Sequence, residues 1–373
     1  MKSIAVAPYT PLELLEENKT LEENDEYNFI DVITYNKLYF DSKKTLTEEI
    51  KEEVLLPTNE LFIKLIDLSE AEKNFRERKL EKIKSENILS VTSNIRKYAI
   101  LSYVWGKRED NADVLSKGGV KSLAKAIETC KLLGIKHLWM DQLCINQEDR
   151  EEVSKQISEL GQYYNSAVVT LIAIQAKFFK NHCYEEEIAN KSKRETFLLD
   201  LLRTIVNSKW FSRGWTFQEG WLSKRTVFMF DDILVDGRMM AQLWVSHQPP
   251  NTKYGKYNSV KESTDGAVKI ATPLGWVYYK DGYALEDRVF LNLSKALREV
   301  KKRGKNKLVE GIYSILGLLP YGEKVKVKCK ERGHVYTEEE LQETLFDILW
   351  VTKQEGYDED FEQLNFWTNS RIN

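Results

Sequence analysis

The chain has 373 residues, 42% of them hydrophobic and 30% charged, with 9 Trp, 18 Tyr and 15 Phe. That content supports one large domain with additions, or two domains, and excludes a disordered chain. Its 55 basic and 58 acidic side chains leave a formal charge of −3, which argues against a dedicated nucleic-acid binder. Four cysteines without paired spacing make no disulfide framework, so a reducing, cytoplasmic location is expected. The N-terminal run from Met1 to Pro8 is too short for a secretion signal. Apolar runs such as Ala167–Ile174 fall far below the roughly 18 residues of a membrane helix, so no membrane partner is expected.

Residues 1–90 carry 13 Lys/Arg against 20 Asp/Glu, a balance of −7. Weak helical patterns cover Leu12–Glu23 and Leu46–Val54, and a strand is expected within Glu60–Asp67 after Pro57. Glu70–Glu86 has the charge pattern of a solvated helix. From Lys97 strands and helices alternate. Tyr98–Val104 is a strand ending at Trp105-Gly106. A helix over Lys121–Leu133 places Leu123, Ile127, Cys130 and Leu133 on one stripe and stops at Gly134. His137–Met140 is a second strand, Glu148–Tyr164 a helix, Ala167–Ile174 a third strand, and Thr226–Phe230 a fourth. A helix over Thr196–Val206, then a turn and short helix over Trp210–Trp221, precede the fourth strand. This alternation predicts a parallel sheet with helices on both faces. Ligands of such sheets sit at the carboxyl ends of the strands, which points to Ser102–Gly106 and Asp141–Asn146.

Past Gly237 the pattern weakens, with loop-like residues over 245–275 and helices expected at Leu285–Lys302, Leu308–Leu318 and Glu338–Lys353. Residues 295–332 hold 12 basic and 4 acidic side chains, a balance of +8. Solvation or pairing within the chain accounts for such a stretch, and a polyanion or partner site is the other reading. The expected division is an acidic extension over 1–56, a central domain over 57–236 and a largely helical region over 237–373.

Several chemistries have no residues to carry them. His137, His182, His247 and His334 form no metal-ligand spacing, and no Gly-rich phosphate loop is present, so neither a metal nor a bound cofactor is expected. Cys144 follows a strand near Asp141, but no histidine is placed to activate it, which suits a buried structural thiol. Three clusters remain: Leu101-Ser-Tyr-Val-Trp-Gly106, Leu138-Trp-Met-Asp-Gln-Leu-Cys-Ile-Asn-Gln147, and Trp210-Phe-Ser-Arg-Gly-Trp-Thr-Phe-Gln-Glu-Gly-Trp221. Singly, each fits core packing. In the third, Trp215 and Glu219 are four apart and share a helix face, with Gly214 expected to relax the backbone before them. A carboxylate there is either aimed at a sugar or cation, or paired to Arg213 or Arg225.

Together the clusters resemble the heterokaryon-incompatibility (HET) domain, whose pattern runs Leu-Ser-Tyr-x-Trp-Gly, Leu-Trp-Ile-Asp-x-x-Cys-Ile-Asn-Gln and Arg-Gly-Trp-Thr-x-Gln-Glu. Leu101–Gly106, Leu138–Gln147 (with Met140 for Ile) and Arg213–Glu219 supply these in order, over a resemblance reaching from about Pro57 to Phe230. Gly311–Leu318 is similar to a helix such proteins carry downstream. The HET domain is in turn similar to the TIR domain, a flavodoxin-like α/β sheet of immune and cell-death signalling. NAD-cleaving TIR proteins use a glutamate in a Trp-Cys-x-x-Glu setting on the helix after the third strand. Trp215 to Glu219 has that spacing, with Thr216 in place of Cys and about forty residues between Ile174 and Trp215.

The resemblance implies an NAD(P)+ glycohydrolase that releases nicotinamide, with NAD or NADP as substrate and Glu219 as the catalytic group. Ser102, Tyr103, Trp105, Gly106, Asp141, Arg213 and Trp215 would bind the substrate. Trp105 or Tyr103 would stack on a ring, and Arg213 would meet the diphosphate or pair with Glu219. Nicotinamide leaves neutral from a cationic precursor, so one carboxylate suffices where ordinary glycosidases need two. It also implies that copies of the chain associate. The alternatives are a non-catalytic signalling adaptor and, through residues 295–332, a nucleic-acid-associated protein.

Overall fold

The computed structural model describes residues 62–76, 88–92, 97–105, 117–176, 200–237 and 308–357, less a few positions within these spans. It also describes residues 32–33, 39–40, 86 and part of 47–52. The expected helices at Leu12–Glu23 and Leu285–Lys302, the loop over 245–275, and Gly106 lie outside the described residues.

The elements follow the chain as β1 (Phe62–Asp67), α1 (Leu68–Arg76), β2 (Ile88–Thr92), β3 (Ala99–Ser102), α2 (Lys117–Leu132) and β4 (His137–Trp139). Then come α3 (Asp141–Cys144), α4 (Arg150–Ser166), β5 (Val169–Ala173), α5 (Trp215–Leu222), β6 (Thr226–Met229) and β7 (Leu234–Asp236). The C-terminal part adds α6 (Leu308–Tyr313), two short 3-10 turns at Leu316–Leu318 and Gly322–Lys324, and α7 (Glu338–Gln354).

Seven strands make one sheet in the order β2-β1-β4-β3-β5-β6-β7. The central four, β4, β3, β5 and β6, run parallel, with Ala99 beside both Leu138 and Val169, and Thr170 beside Thr226. Counted in chain order they lie 2-1-3-4. β1 joins β4 antiparallel, β2 joins β1 antiparallel, and β7 joins β6 antiparallel. The fold is therefore α/β with a mixed sheet, which corrects the purely parallel expectation at both edges. Two strands, β2 and β7, were not anticipated. Ile88–Thr92 follows the charged run directly, and Leu234–Asp236 has only three residues, too few for alternation to show.

The centre reads as parallel sheets do. β3 and β5 are buried along their whole length, and their Ala-Ile-Leu-Ser and Val-Thr-Leu-Ile-Ala sequences are nearly continuous apolar runs. α2 buries Leu123, Ile127 and Cys130 and begins four residues earlier than its stripe suggests. It ends at Gly134, whose φ of 70° is the left-handed turn that only glycine adopts without cost. There the Ile135 amide donates to Cys130 O at 2.8 Å, and the Gly134 amide to Lys131 O at 3.2 Å. α4 starts at Asp149, whose side chain accepts from the Glu151 and Glu152 amides at 3.0 and 3.1 Å. α2 is tied to the end of β6 by ion pairs from Lys121 and Lys125 to Asp231, at 2.6 and 2.8 Å.

The C-terminal elements share a core with α5. Phe217 and Trp221 pack with Val309, Ile312, Leu316 and Ile348. Gly317 reaches so close to Gly161 of α4 that a Cβ on either would lie 2.8 Å from the other's Cα. The Gly317 amide donates to Gln218 Oε1 at 2.8 Å. No helix among the described residues is long and apolar enough to cross a membrane.

Candidate functional site

β3 and β4 are parallel neighbours, so the residues that follow them emerge at the same edge of the sheet. At that edge Ser102, Tyr103, Trp105 and Asp141 meet Arg213, Trp215 and Glu219, which arrive with α5 after β5. Three clusters separated by over a hundred residues thus converge on one place, at the carboxyl ends of the parallel strands.

Glu219 lies on α5, one turn after Trp215. Both side chains are half-buried, while Thr216, Phe217 and Gln218 between them are buried. Gly214 has ordinary helical geometry, φ −61° and ψ −49°, so the expected relaxation of the backbone there is not used. Thr216, at the position of Cys in the TIR pattern, donates its hydroxyl to Trp210 O at 2.7 Å and to Arg213 O at 2.8 Å, fastening the turn that leads into α5.

Ser102, itself only 1% exposed, donates its hydroxyl to Glu219 Oε2. The Trp210 indole donates to Ser102 Oγ at 2.6 Å. Tyr164 from the end of α4 lies beside Glu219 and Ser102. Burial pushes the Glu219 carboxyl up to about 7, against the Ser102 hydroxyl, Arg213 and Tyr164, which favour the ionised form; Asp141 adds to the rise. Among the described residues Arg213 makes no ion pair within 4.0 Å, and its guanidinium donates to Tyr103 O at 3.5 Å. Arg225 is directed elsewhere, to Val168 O. Neither arginine closes off Glu219 as a salt bridge.

Asp141 begins α3. Its Oδ2 accepts the Trp105 indole at 2.7 Å, and its Oδ1 accepts the Tyr103 hydroxyl at 3.1 Å and the Gln142 amide at 2.7 Å. Burial lifts its carboxyl to about 6, although these donors and Arg213 pull the other way. Tyr103 is 4% exposed, with its hydroxyl donating to Asp141 and Gln142. It supports the site from beneath, and the indoles of Trp105 and Trp215 are partly buried and pack against the core beside it.

Cys144 is buried beside Met140, and burial lifts its thiol to about 12, as a structural thiol requires. Among the described residues no group of His, Cys, Asp and Glu is arranged to hold a metal ion. Two contributors carried no functional signal in the sequence. Tyr164 sat on an apolar helical stripe, and Trp210 was one aromatic among five in its cluster. What distinguishes Trp210 is a hydrogen bond to Ser102 across 108 residues of chain, and Tyr164 its place beside the Glu219 carboxyl.

Residues 98–219 match the profile of the family described as "Heterokaryon incompatibility protein (HET)". Two curated relatives carry the likeness. "Vegetative incompatibility protein HET-E-1" of Podospora anserina is 24% identical over 136 residues, covering 34% of this chain and 9% of the relative. "Heterokaryon incompatibility protein 6, OR allele" of Neurospora crassa is 27% identical over 206 residues, covering 39% of this chain and 30% of the relative. The chain therefore spans less than a third of the length of either. No solved structure matches it.

Proposed function

With residues 98–219 carrying the HET domain, we propose that this chain is an NAD(P)+ glycohydrolase that releases nicotinamide, acting in incompatibility or cell-death signalling. The observation that carries the proposal is the setting of Glu219: a half-buried carboxylate with a pKa lifted to about 7, beside a second carboxylate and two partly buried indoles. Displaced ionisation of this kind is a mark of working groups. Support also comes from the order 2-1-3-4 of the parallel strands, which is that of flavodoxin-like sheets, and from Glu219 following the third of them, as in TIR proteins that cleave NAD.

Two carboxylates against one arginine favour a cationic ligand, and Trp105 and Trp215 offer π faces to a charged ring. The oxidised nicotinamide ring is such a group. Breaking its bond to ribose moves positive charge onto the sugar, where the Glu219 carboxylate stabilises it. The nicotinamide leaves with the bonding pair and needs no proton, and water then adds to the ribosyl carbon and gives up its proton. Arg213, close enough to both carboxylates to favour their ionised forms, would meet the diphosphate.

The test is nicotinamide release from NAD+ and NADP+ by the purified full chain beside Glu219→Gln. Release by the wild type and a loss of about 10²–10³-fold in the variant are expected, the cost of removing one group that stabilises transition-state charge. No release by the wild type at any protein concentration, or an undiminished rate in a folded variant, overturns the proposal.

A further inference from the structure

The hydrogen-bond donors around Glu219 run in one direction. Trp210 is 5% exposed, its ring edge-on to Phe228 of β6 at 6.0 Å, and its Nε1 donates to Ser102 Oγ at 2.6 Å. An indole N–H can only donate, whereas a serine hydroxyl has one proton to give and two lone pairs to receive. With Trp210 fixed as the donor to Oγ, one lone pair is taken, and the Ser102 hydroxyl is left to donate to an ionised Glu219, whose Oε2 is its partner. The titratable and charged groups facing Glu219 are Tyr164 from α4, Asp141 from α3 and Arg213 from the turn before α5, with Tyr103 of β3 behind Asp141.

We propose that Trp210 is the positioning residue of this site: its indole N–H, acting through Ser102, sets the direction of the hydroxyl proton and so holds Glu219 as an acceptor. The proposal rests on Glu219 being the working carboxylate, but it concerns a protonation equilibrium that is measured without turnover. With the indole donor removed, both lone pairs of Ser102 Oγ are open, and acceptance from a neutral Glu219 gains weight over donation to the carboxylate. That alternative competes with the ionised arrangement, which has already lost solvation by burial. A tryptophan that served only to fill space against Phe228 would affect packing and leave this equilibrium alone.

The experiment measures unfolding free energy of the full chain by urea between pH 5 and 9, for each protein and its Glu219→Gln partner. The difference within each pair, followed against pH, reports where Glu219 titrates. Trp210→Phe is expected to raise that midpoint by about one pH unit, a tenfold change in the ionisation constant. Ser102→Ala is expected to raise it as well, and Trp210→Phe added to Ser102→Ala to add little. If Trp210→Phe folds poorly, benzothienylalanine placed at 210 keeps the ring shape and deletes only the N–H. It is expected to give the same rise, and no rise with that analogue overturns the proposal. A loss of stability in Trp210→Phe with the midpoint unmoved overturns it too. A midpoint that moves in a wild-type chain releasing no nicotinamide would sink the glycohydrolase and leave the role of Trp210 standing.

Discussion

Glu219 ionises at a cost. Its carboxyl goes from 4.5 in an unfolded chain to about 7 in the fold, so the folded state holds an extra proton between those values. The stability linked to that proton is present in full below the lower value and is lost as pH rises through the higher one. Glu219→Gln removes the dependence. The variant is therefore expected to gain on the wild type by on the order of 3 kcal/mol in unfolding free energy as pH rises from 4.5 to 8.5, with the steepest change midway between the two pKa values and the gain levelling off above about 7. Activity has the opposite slope. If the ionised carboxylate stabilises the ribosyl cation, nicotinamide release rises with pH through about 7, and a rate that falls over that range contradicts the role. Trp105 is a different case, because its ring is only partly buried against the core and its indole N–H is bound to Asp141. Trp105→Ala is expected to weaken NAD+ binding, measured by titration calorimetry, while lowering the melting temperature little; a chain that merely unfolds returns Trp105 to the core.

At the scale of elements, α5 is held in place from the far side. Gln218 next to Glu219 receives the Gly317 amide, and Gly317 lies against Gly161 with no room for a methyl group. Gly317→Ala would place its Cβ 2.8 Å from Gly161 Cα and 2.9 Å from Gln218 Oε1. A loss of about 1–3 kcal/mol in unfolding free energy is expected, as in other overpacked interfaces, and nicotinamide release should fall with it as α5 shifts. The end of β6 depends on another tie. Lys125 is 3% exposed, with its ammonium on Phe230 O at 2.7 Å and on Asp231, whose carboxyl burial raises but Lys125 and Lys121 hold below its usual range. Asp231→Ala leaves that buried ammonium without its counter-charge, and a cost of about 3–5 kcal/mol is expected by urea unfolding.

For the whole molecule, the basic stretch near the C-terminus finds its partners at home. Lys324 pairs with Glu355, Lys328 with Asp347 at 3.0 Å, and Lys330 with Glu340 at 3.0 Å. These lysines are answered by α7 and its C-terminal turn, so pairing within the chain accounts for the described part of the stretch. Association of copies, an expectation from the sequence, then has to rest on other contacts. We expect specific activity to rise with protein concentration and to be little affected by salt, since screening acts on exposed charge pairs. Constant specific activity over a hundredfold dilution, with a monomeric mass by light scattering, rules association out.

The sequence by itself determined the central strands, the helix stop at Gly134 and the three clusters of the site. Buried parallel strands are continuous apolar runs, and a helix end at positive φ calls for glycine, so both are local and legible. The spacing of Trp215 and Glu219 is local as well, since four residues make one helical turn. What only the tertiary structure decided is how these pieces meet. The antiparallel edges β1, β2 and β7 depend on which strand finds which neighbour, and that is a long-range choice. Tyr103 turned out to lie beneath the site, and neither arginine paired with Glu219, because burial and partner are set by packing across the sheet. Tyr164 and Trp210 look like core aromatics in the sequence. Their roles come from placement beside Ser102 and Glu219, which joins residues far apart in the chain and leaves no periodic trace in it.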